Sequence, residues 1–455
     1  MLDIKILNGK IIDIKNKKII EGDIGIKESK IVEIGQVLSS AYVEIDAKGN
    51  YISPGFIDIH MHEEDLLLTK KMEYDISQTM LNMGVTTCAT GNCGNNRQSI
   101  RDLHDFIEEK GNPVNYMSFI GHNYLRNQVG STDIYKKSTK SQIEKMQSMV
   151  EDAINFGAVG VSYGLEYCPG IDIEEAISIT KGIKGRRDLL LSAHYRKDSI
   201  YAIDAIKEMG QIGRETDIPF QISHLSSCSA YGNMTEALVT IDELVNSGLD
   251  LQVDAYPYDA FSTYIGSAVF DDGCLELWNR DYNSIMLAEK PFQGMRCNKE
   301  LFEKARRDYP EMLAVAYVMN EDEIIQALNH PLVMVASDGL YRNHQGHPRG
   351  AGTFPRVIGS FVRDRKVMNF FDAIYKMTYM PAKRLGLKSK GLLEEGYDAD
   401  IVIFNYDTII DKATFEDPQL KPDGIECVII DGKVAIKNKN LANNTIGKFI
   451  KRESM

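Results

Sequence analysis

The sequence predicts an α/β protein: a (β/α)8 TIM-type barrel joined to a small composite β-sandwich domain made by both termini. Three observations carry this expectation. Eight short apolar runs recur between residues 51 and 338, most followed by a helical or polar stretch, which is the pattern of βα units around a parallel sheet. Both ends of the chain read instead as short β-branched strands broken by Gly-containing turns. Finally, His60, Cys93, His122, His194, His224, Tyr256 and Asp338 all stand at or just past the C-terminal end of an apolar run. That rim is where barrel enzymes build their active sites.

Residues 1–52 supply the first β segments, LDIKILNGKIID, EGDIGIKESKIVEIG and YVEIDAKGNYI. The barrel is expected over 53–389. Its runs are YISPGFIDIH, GVTTCATGN, VNYMSFIGH, AVGVSYG, LLLSAH, PFQISH, LDLQVDAY and LVMVASD. Intervening stretches such as KSQIEKMQSMVEDAINFG and MTEALVTIDELVNSG are candidate helices. An insert at about 263–326 separates the last two runs, holds the single tryptophan, Trp278, and contains the helical-looking NKELFEKARRDYPEMLAVAYVMNEDEIIQAL. Its place at the barrel mouth makes it a candidate lid. Over 390–455 the β pattern returns in GLLEEGYDADIVIFN and IECVIIDGKVAIKN, so the two flanking segments are expected to share one sheet.

With 455 residues, 43% of them hydrophobic, the chain can bury a large core and carry a subdomain. A net charge of −13 argues against general affinity for nucleic acid and leaves a small-molecule substrate, even an anionic one, open. The seven cysteines are scattered without short-spaced pairs, which reads as reduced thiols and a cytoplasmic location. No apolar run approaches a membrane span, and MLDIKILNGK lacks the core of a signal peptide. No membrane or nucleic-acid partner is expected; a homo-oligomer is compatible with all of this.

The stretch 51–63, YISPGFIDIHMHE, organises the chemistry. On a strand, residues i and i+2 face the same way, so His60 and His62 leave the strand end together, a geometry suited to one divalent transition metal such as zinc. Asp338 is the candidate general acid/base beside such a centre.

The order PGFIDIHMH, GVTTCATGNCG, GVSYGLEYCPG, HYR, SH, DAYPY, SDG, HPRGAGTFPRVIG and GYDADIVIF resembles the amidohydrolase superfamily and, within it, the N-acyl-D-amino-acid deacylases, over about residues 2–440. That resemblance implies zinc-dependent hydrolysis of the amide of N-acyl-D-amino acids. It implies that Cys93, His194 and His224 hold one tight zinc, and that His60, His62 and Asp338 form a second, weaker position. Tyr256 resembles the family's oxyanion-stabilising tyrosine, Ser262 a substrate-contacting serine, and Arg349 the arginine that binds the α-carboxylate. Arg196, two residues past His194, is a further substrate-contact candidate near the rim.

One departure matters for the substrate. Where the deacylases read His-His-Lys, this chain reads His224-Leu225-Ser226. Ser226 can hydrogen-bond there but supplies no charge; Arg342 and Lys197 are candidate replacements. Hydantoinases, dihydroorotases and β-aspartyl dipeptidases are the alternative amidases, but they carry a lysine ligand on the fourth strand, and AVGVSYG has none. A non-catalytic scaffold on the same barrel is the other alternative; it would be expected to have lost ligands that this chain keeps.

Overall fold

The apolar runs become eight parallel strands of one barrel. The fold is taken from a computed structural model that describes residues 1–66 and 74–452. In chain order the strands are Phe56–Asp58, Val85–Thr90, Asn115–Ser118 with its continuation Ile120–Gly121, Gly160–Gly164, Leu190–His194, Phe220–Ile222, Leu251–Ala255 and Val333–Val335. Successive strands pair in parallel, and the seventh pairs with the eighth across the insert. The ring closes past the strand ends, where the Asp338 N–H donates to the His60 carbonyl at 2.8 Å and Met61 bridges Gly339. Such strands are covered on both faces, which is why they read as continuous apolar runs; every residue of Val85–Thr90 is buried. Asp58, inside the first run, ties the closure. Its Oδ1 accepts from the backbone N–H groups of His60 and Ser337, both at 3.1 Å.

The termini do build one composite unit. The strand Tyr51–Pro54 pairs on one side with Leu2–Asp13 and on the other, antiparallel, with Ile401–Phe404. Nine strands join in this sheet. It curls until Ile31 N–H donates to the Tyr397 carbonyl and Ala399 N–H to that of Ser29. Inward isoleucines from both termini, among them Ile4, Ile24, Ile52, Ile401 and Ile429, then form a core of their own.

Two details differ from the sequence expectations. The insert is not mainly helical. It carries a three-stranded antiparallel sheet, Ala260–Tyr264, Leu313–Tyr317 and Ile285–Leu287, and so begins before residue 263. Within the long helical-looking stretch only Lys299–Asp308 and Glu321–Asn329 are helices. Pro310 disfavours helix at the residue before it. The MLAVAY segment then becomes a strand with Leu313 and Val315 on one face and Ala314 and Ala316 in the barrel-side core.

The second difference is at the C-terminus, which was expected to stay in the β domain. Residues 445–452 instead run along the barrel. Tyr116 N–H donates to the Lys448 carbonyl at 2.9 Å, and Ile450 N–H donates to that of Tyr116 at 2.7 Å. Phe449 is buried there, with its ring edge-on to His104. Phe449→Ala is therefore expected to cost about 3–5 kcal/mol, as buried aromatic truncations do. Urea unfolding checks this, and a loss under about 1 kcal/mol would mean the tail merely rests on the barrel.

Candidate active site

Five of the eight strand ends deliver their functional side chains to a common point. His60 and His62 follow the first strand, Cys93 the second, His194 ends the fifth, His224 follows the sixth and Asp338 the eighth. Their ligand atoms fall into two groups, His60, His62, Cys93 and Asp338, and Cys93, His194 and His224, each with its atoms within 4.8 Å of one another. Cys93 Sγ lies 3.3 Å from His60 Nε2, 3.5 Å from His224 Nε2 and 4.0 Å from His194 Nδ1. His62 Nε2 lies 3.1 Å from Asp338 Oδ1.

The backbone is bent to achieve this. Cys93, His224 and Asp338 have φ of 51°, 33° and 49°, left-handed values that cost non-glycine residues about 1–3 kcal/mol each and cluster at functional sites. Glycine makes room for the Cys93 turn. A Cβ on Gly164 would lie 2.3 Å from the Cys93 carbonyl oxygen, and one on Gly94, itself at φ 77°, would lie 2.7 Å from the Gly164 nitrogen.

The remaining ring nitrogens of His60, His194 and His224 are already taken. His60 Nδ1 lies 3.2 Å from Asp254 Oδ1, His194 Nε2 3.1 Å from Glu166 Oε2, and His224 Nδ1 2.8 Å from Ser227 Oγ. Asp254 is fixed in turn by the His224 N–H and by Gln221. Partners of this kind set the tautomer and orientation of metal-binding imidazoles. Glu166 and Asp254 escaped the sequence reading, although both stand inside motifs it used, GLEYCPG and DAYPY. An acid next to a strand-end histidine or tyrosine was the available signal.

The electrostatics fit a cation. Burial alone pushes the Cys93 thiol up, but the imidazoles of His60 and His224, with bonds from His194 and His224, outweigh it and hold the thiol well below its ordinary value. Burial likewise lowers His194, but Cys93 and Glu166 outweigh it and raise the imidazole to about 10. Two imidazole nitrogens, His194 Nδ1 and His224 Nε2, face each other at 2.9 Å beside that thiolate. Such a contact needs a proton or a metal ion between the groups, and the sulfur and nitrogen donors are those zinc takes. Asp338 is held well below the carboxylate range: burial opposes ionisation, and Arg349, His224, His60 and His62 outweigh it.

Of the expected substrate contacts, Arg349 and Ser262 border the cavity over this centre, which is about 400 Å3 in volume. Arg349 Nη1 lies 2.9 Å from Asp338 Oδ2, and its guanidinium sits 4.5 Å from the Tyr256 ring centre. Tyr256 is fully buried, and its hydroxyl, near Ser227, forms no bond of hydrogen-bonding geometry. Ser262 Oγ is also without a partner among the described residues.

Two expectations are corrected. Ser226 does not line the cavity. It lies fully buried within the helix Leu225–Ser229, and its neighbours Ser227 and Cys228 border the small side chamber beside His194 and His224 instead. Arg196 points away from the site, clamped by both oxygens of Glu208 at 2.8–3.0 Å. The proposed charge replacements do no better: Arg342 pairs with Glu289 at 2.9 Å, and Lys197 is exposed and borders neither the cavity nor the side chamber. Residues missed by the sequence reading also border the cavity, notably Tyr167, Asn123 and Arg97.

His122 and Arg126 form a buried clamp rather than a reaction group. Glu175 Oε1 lies 3.1 Å from His122 Nε2 and accepts from Arg126 Nη1 at 2.6 Å, while Oε2 accepts the Ser138 N–H at 3.0 Å. This fastens the loop that brings Ser131 and Ile134 to the cavity. Burial raises the Glu175 carboxyl, but His122, Ser138 and Arg126 outweigh it and lower it from 4.5 to about 2. A carboxylate depressed on folding adds stability above its unfolded value and loses it as pH falls toward its folded one. Wild-type stability is thus expected to decline between about pH 5 and 2. Glu175→Gln should be less stable at pH 7 by about 3–5 kcal/mol, because it strands the Arg126 charge, and flatter in that window. Urea titrations at several pH values check this; parallel profiles would contradict it.

A thiolate, imidazoles and a carboxylate gathered at the C-terminal mouth of a (β/α)8 barrel define a metal-dependent hydrolase of the amidohydrolase class. Residues 288–436 match the model described as the amidohydrolase family. Nearly the whole chain aligns with a D-aminoacylase of Alcaligenes xylosoxydans xylosoxydans, at 30% identity over 99% of this chain and 98% of that protein. The chain belongs to the D-aminoacylase family. Two solved structures share its fold with a TM-score of 0.88. One is a D-aminoacylase with a binuclear metal centre, described by one-metal activation and second-metal attenuation, 28% identical over 99% of this chain and 100% of that one. The other is the N-acyl-D-glutamate deacylase of Bordetella bronchiseptica with zinc and a phosphonate mimic of the tetrahedral intermediate, 29% identical over 99% of both chains. Among the described residues, no helix is long and apolar enough to cross a membrane.

Proposed function

We propose that this chain hydrolyses the amide bond of N-acyl-D-amino acids in a zinc-dependent reaction, releasing a carboxylate and a D-amino acid. The observation that carries the reading is the convergence of Cys93, His194 and His224 beside Asp338, where the cavity meets the small side chamber. Those three would hold the tight zinc, and His60, His62, Cys93 and Asp338 a second, weaker one. Zinc bound there supplies a Lewis acid and makes water nucleophilic at neutral pH.

The chain's own groups do the rest. Asp338, kept ionised, takes the proton of the attacking water and returns it to the leaving amine. Burial holds the Tyr256 phenol above its ordinary value against the pull of Arg349. It therefore stays protonated, and its uncommitted O–H donates to the carbonyl oxygen as charge develops there. Arg349 pairs with Asp338 and is the cation for the substrate α-carboxylate. Ser262 Oγ offers a further bond to the substrate. The catalytic unit is the barrel over 53–389 with its insert, and the β domain supports it. The seven cysteines are all free, which suits a reducing compartment such as the cytoplasm.

The test is zinc content together with turnover of N-acetyl-D- and N-acetyl-L-amino acids and hydantoins. D-selective deacylation by protein holding about one zinc or more supports the reading. A full zinc complement with no turnover of any D-substrate overturns it.

A further inference from the structure

The reaction centre fills only the floor of the cavity. The remainder runs outward between the loop after the second barrel strand, the helix His122–Gln128 and the insert strand Ala260–Tyr264, past Asn95, Asn123 and Asn127. Ligand pockets are usually apolar with a few polar anchors; this outer part sets several amides beside Ser131, Thr263, Pro310 and Glu311. Asn123 Oδ1 is buried there without a partner among the described residues.

Three guanidinium groups border the cavity, Arg97, Arg126 and Arg349, and among the described residues no lysine does. Arg126 is committed. Its terminal nitrogens donate to Glu175, to Ser138 and to the carbonyls of Asp133 and Lys136. Arg349 is held against Asp338. Arg97 is positioned differently. Its backbone N–H donates to Glu63 Oε1 at 2.9 Å, its Nη2 donates to the Tyr264 hydroxyl, and its guanidinium lies 5.7 Å from the Tyr264 ring centre. The side chain is therefore steered by a tyrosine of the insert. Its Nε and Nη1 engage no other described side chain. Glu63 and Asp65 temper its charge, but Glu63 is already spent on the N–H groups of Gly91 and Arg97.

We propose that Arg97 determines specificity in this chain by binding a carboxylate at the end of the substrate remote from the scissile amide, so that the preferred substrates are N-acyl-D-amino acids with a second anionic group. The inference rests on the deacylase reading above. A guanidinium whose Nε and Nη1 are uncommitted among the described residues recognises carboxylate by charge-assisted hydrogen bonds, and the polar groups along the passage accommodate a polar chain between the two ends. The remote carboxylate belongs either to the amino-acid side chain or to the far end of the acyl group, and both present the same chemistry to Arg97.

Zinc-loaded wild type, Arg97→Gln and Arg97→Lys decide it through two substrate ratios. One is kcat/KM for N-acetyl-D-glutamate over the uncharged, isosteric N-acetyl-D-glutamine. The other is N-succinyl-D-leucine over N-acetyl-D-leucine. Wild type is expected to favour the acid in one pair by about 10- to 100-fold. Arg97→Gln should bring that ratio to about one, mainly through KM, and Arg97→Lys should restore part of it. The pair that responds identifies the source of the carboxylate. The same ratios in wild type and Arg97→Gln would overturn the proposal. If wild type turns over none of the four compounds, the deacylase reading fails, and calorimetric binding of the same four still judges Arg97. A preference for the acid that Arg97→Gln abolishes supports its role, and equal binding overturns it.

Discussion

Asp338→Asn is expected to lower kcat by about 10²- to 10⁴-fold, the usual contribution of a positioned proton carrier, while the protein keeps its tight zinc. The carboxylate is placed for two duties. Oδ1 faces His62 and His60 at 3.1 and 3.5 Å, and Oδ2 faces Arg349 at 2.9 Å. Asparagine preserves the shape but removes the charge and the ability to take a proton. It also leaves Arg349, 2% exposed, without its counter-ion, so some stability is lost; breaking a buried pair costs up to about 3–5 kcal/mol. Activity and stability must therefore be read separately. The defining result is a folded variant with wild-type zinc at the Cys93, His194 and His224 position and a collapsed kcat. A variant within tenfold of wild type would show that the proton moves through another group.

Much of the fold was legible because a parallel barrel strand must be apolar on both faces and must end where a loop begins. The runs FID, VTTCAT and LLSAH announce both facts. The insert was harder. LAVAY suits a buried helix as well as a strand, and only its pairing with Ala260–Tyr264 and Ile285–Leu287, far away in sequence, selects the strand. The C-terminal tail carries no pattern of its own. Phe449 is buried because barrel strand three presents Tyr116 to it, a long-range fact that no local window contains.

The same division holds at the site. Histidines, a cysteine and an aspartate at strand ends are visible one by one, and a common rim brings them together. Ion-pair partners are not visible in this way. Arg196 looked available because it follows a candidate ligand, yet Glu208, one helix later, captures it. The deacylase resemblance made Ser226 a candidate substrate contact, but the turn at His224, with its φ of 33°, starts a short helix that buries the serine and turns Ser227 toward the chamber. Arg97 went unremarked because nothing beside it in the sequence marks it. Tyr264, which orients it, is 167 residues away.

Cys93→Ala is expected to have the widest effect of any single change at the site, because the thiol belongs to both groups of candidate ligands. Removing it takes a donor from His194 and His224 on one side and from His60, His62 and Asp338 on the other. It also removes the negative charge that the surrounding imidazoles stabilise, so the cluster left behind has one anionic donor fewer with which to bind a cation. Zinc stoichiometry after dialysis against a zinc buffer should fall well below one, and activity should drop by about 10³-fold or more, the scale set by a lost catalytic electrophile. Cys93→Asp, which keeps an anionic donor, should recover part of the metal. His62→Ala is the contrasting variant: it touches only the second group and should retain about one zinc. If Cys93→Ala binds as much zinc as wild type, the sulfur is not a ligand and the metal is held by the histidines and Asp338 alone. If both Cys93→Ala and His62→Ala lose all metal, the two groups form a single site, and the division between a tight and a weak position is wrong.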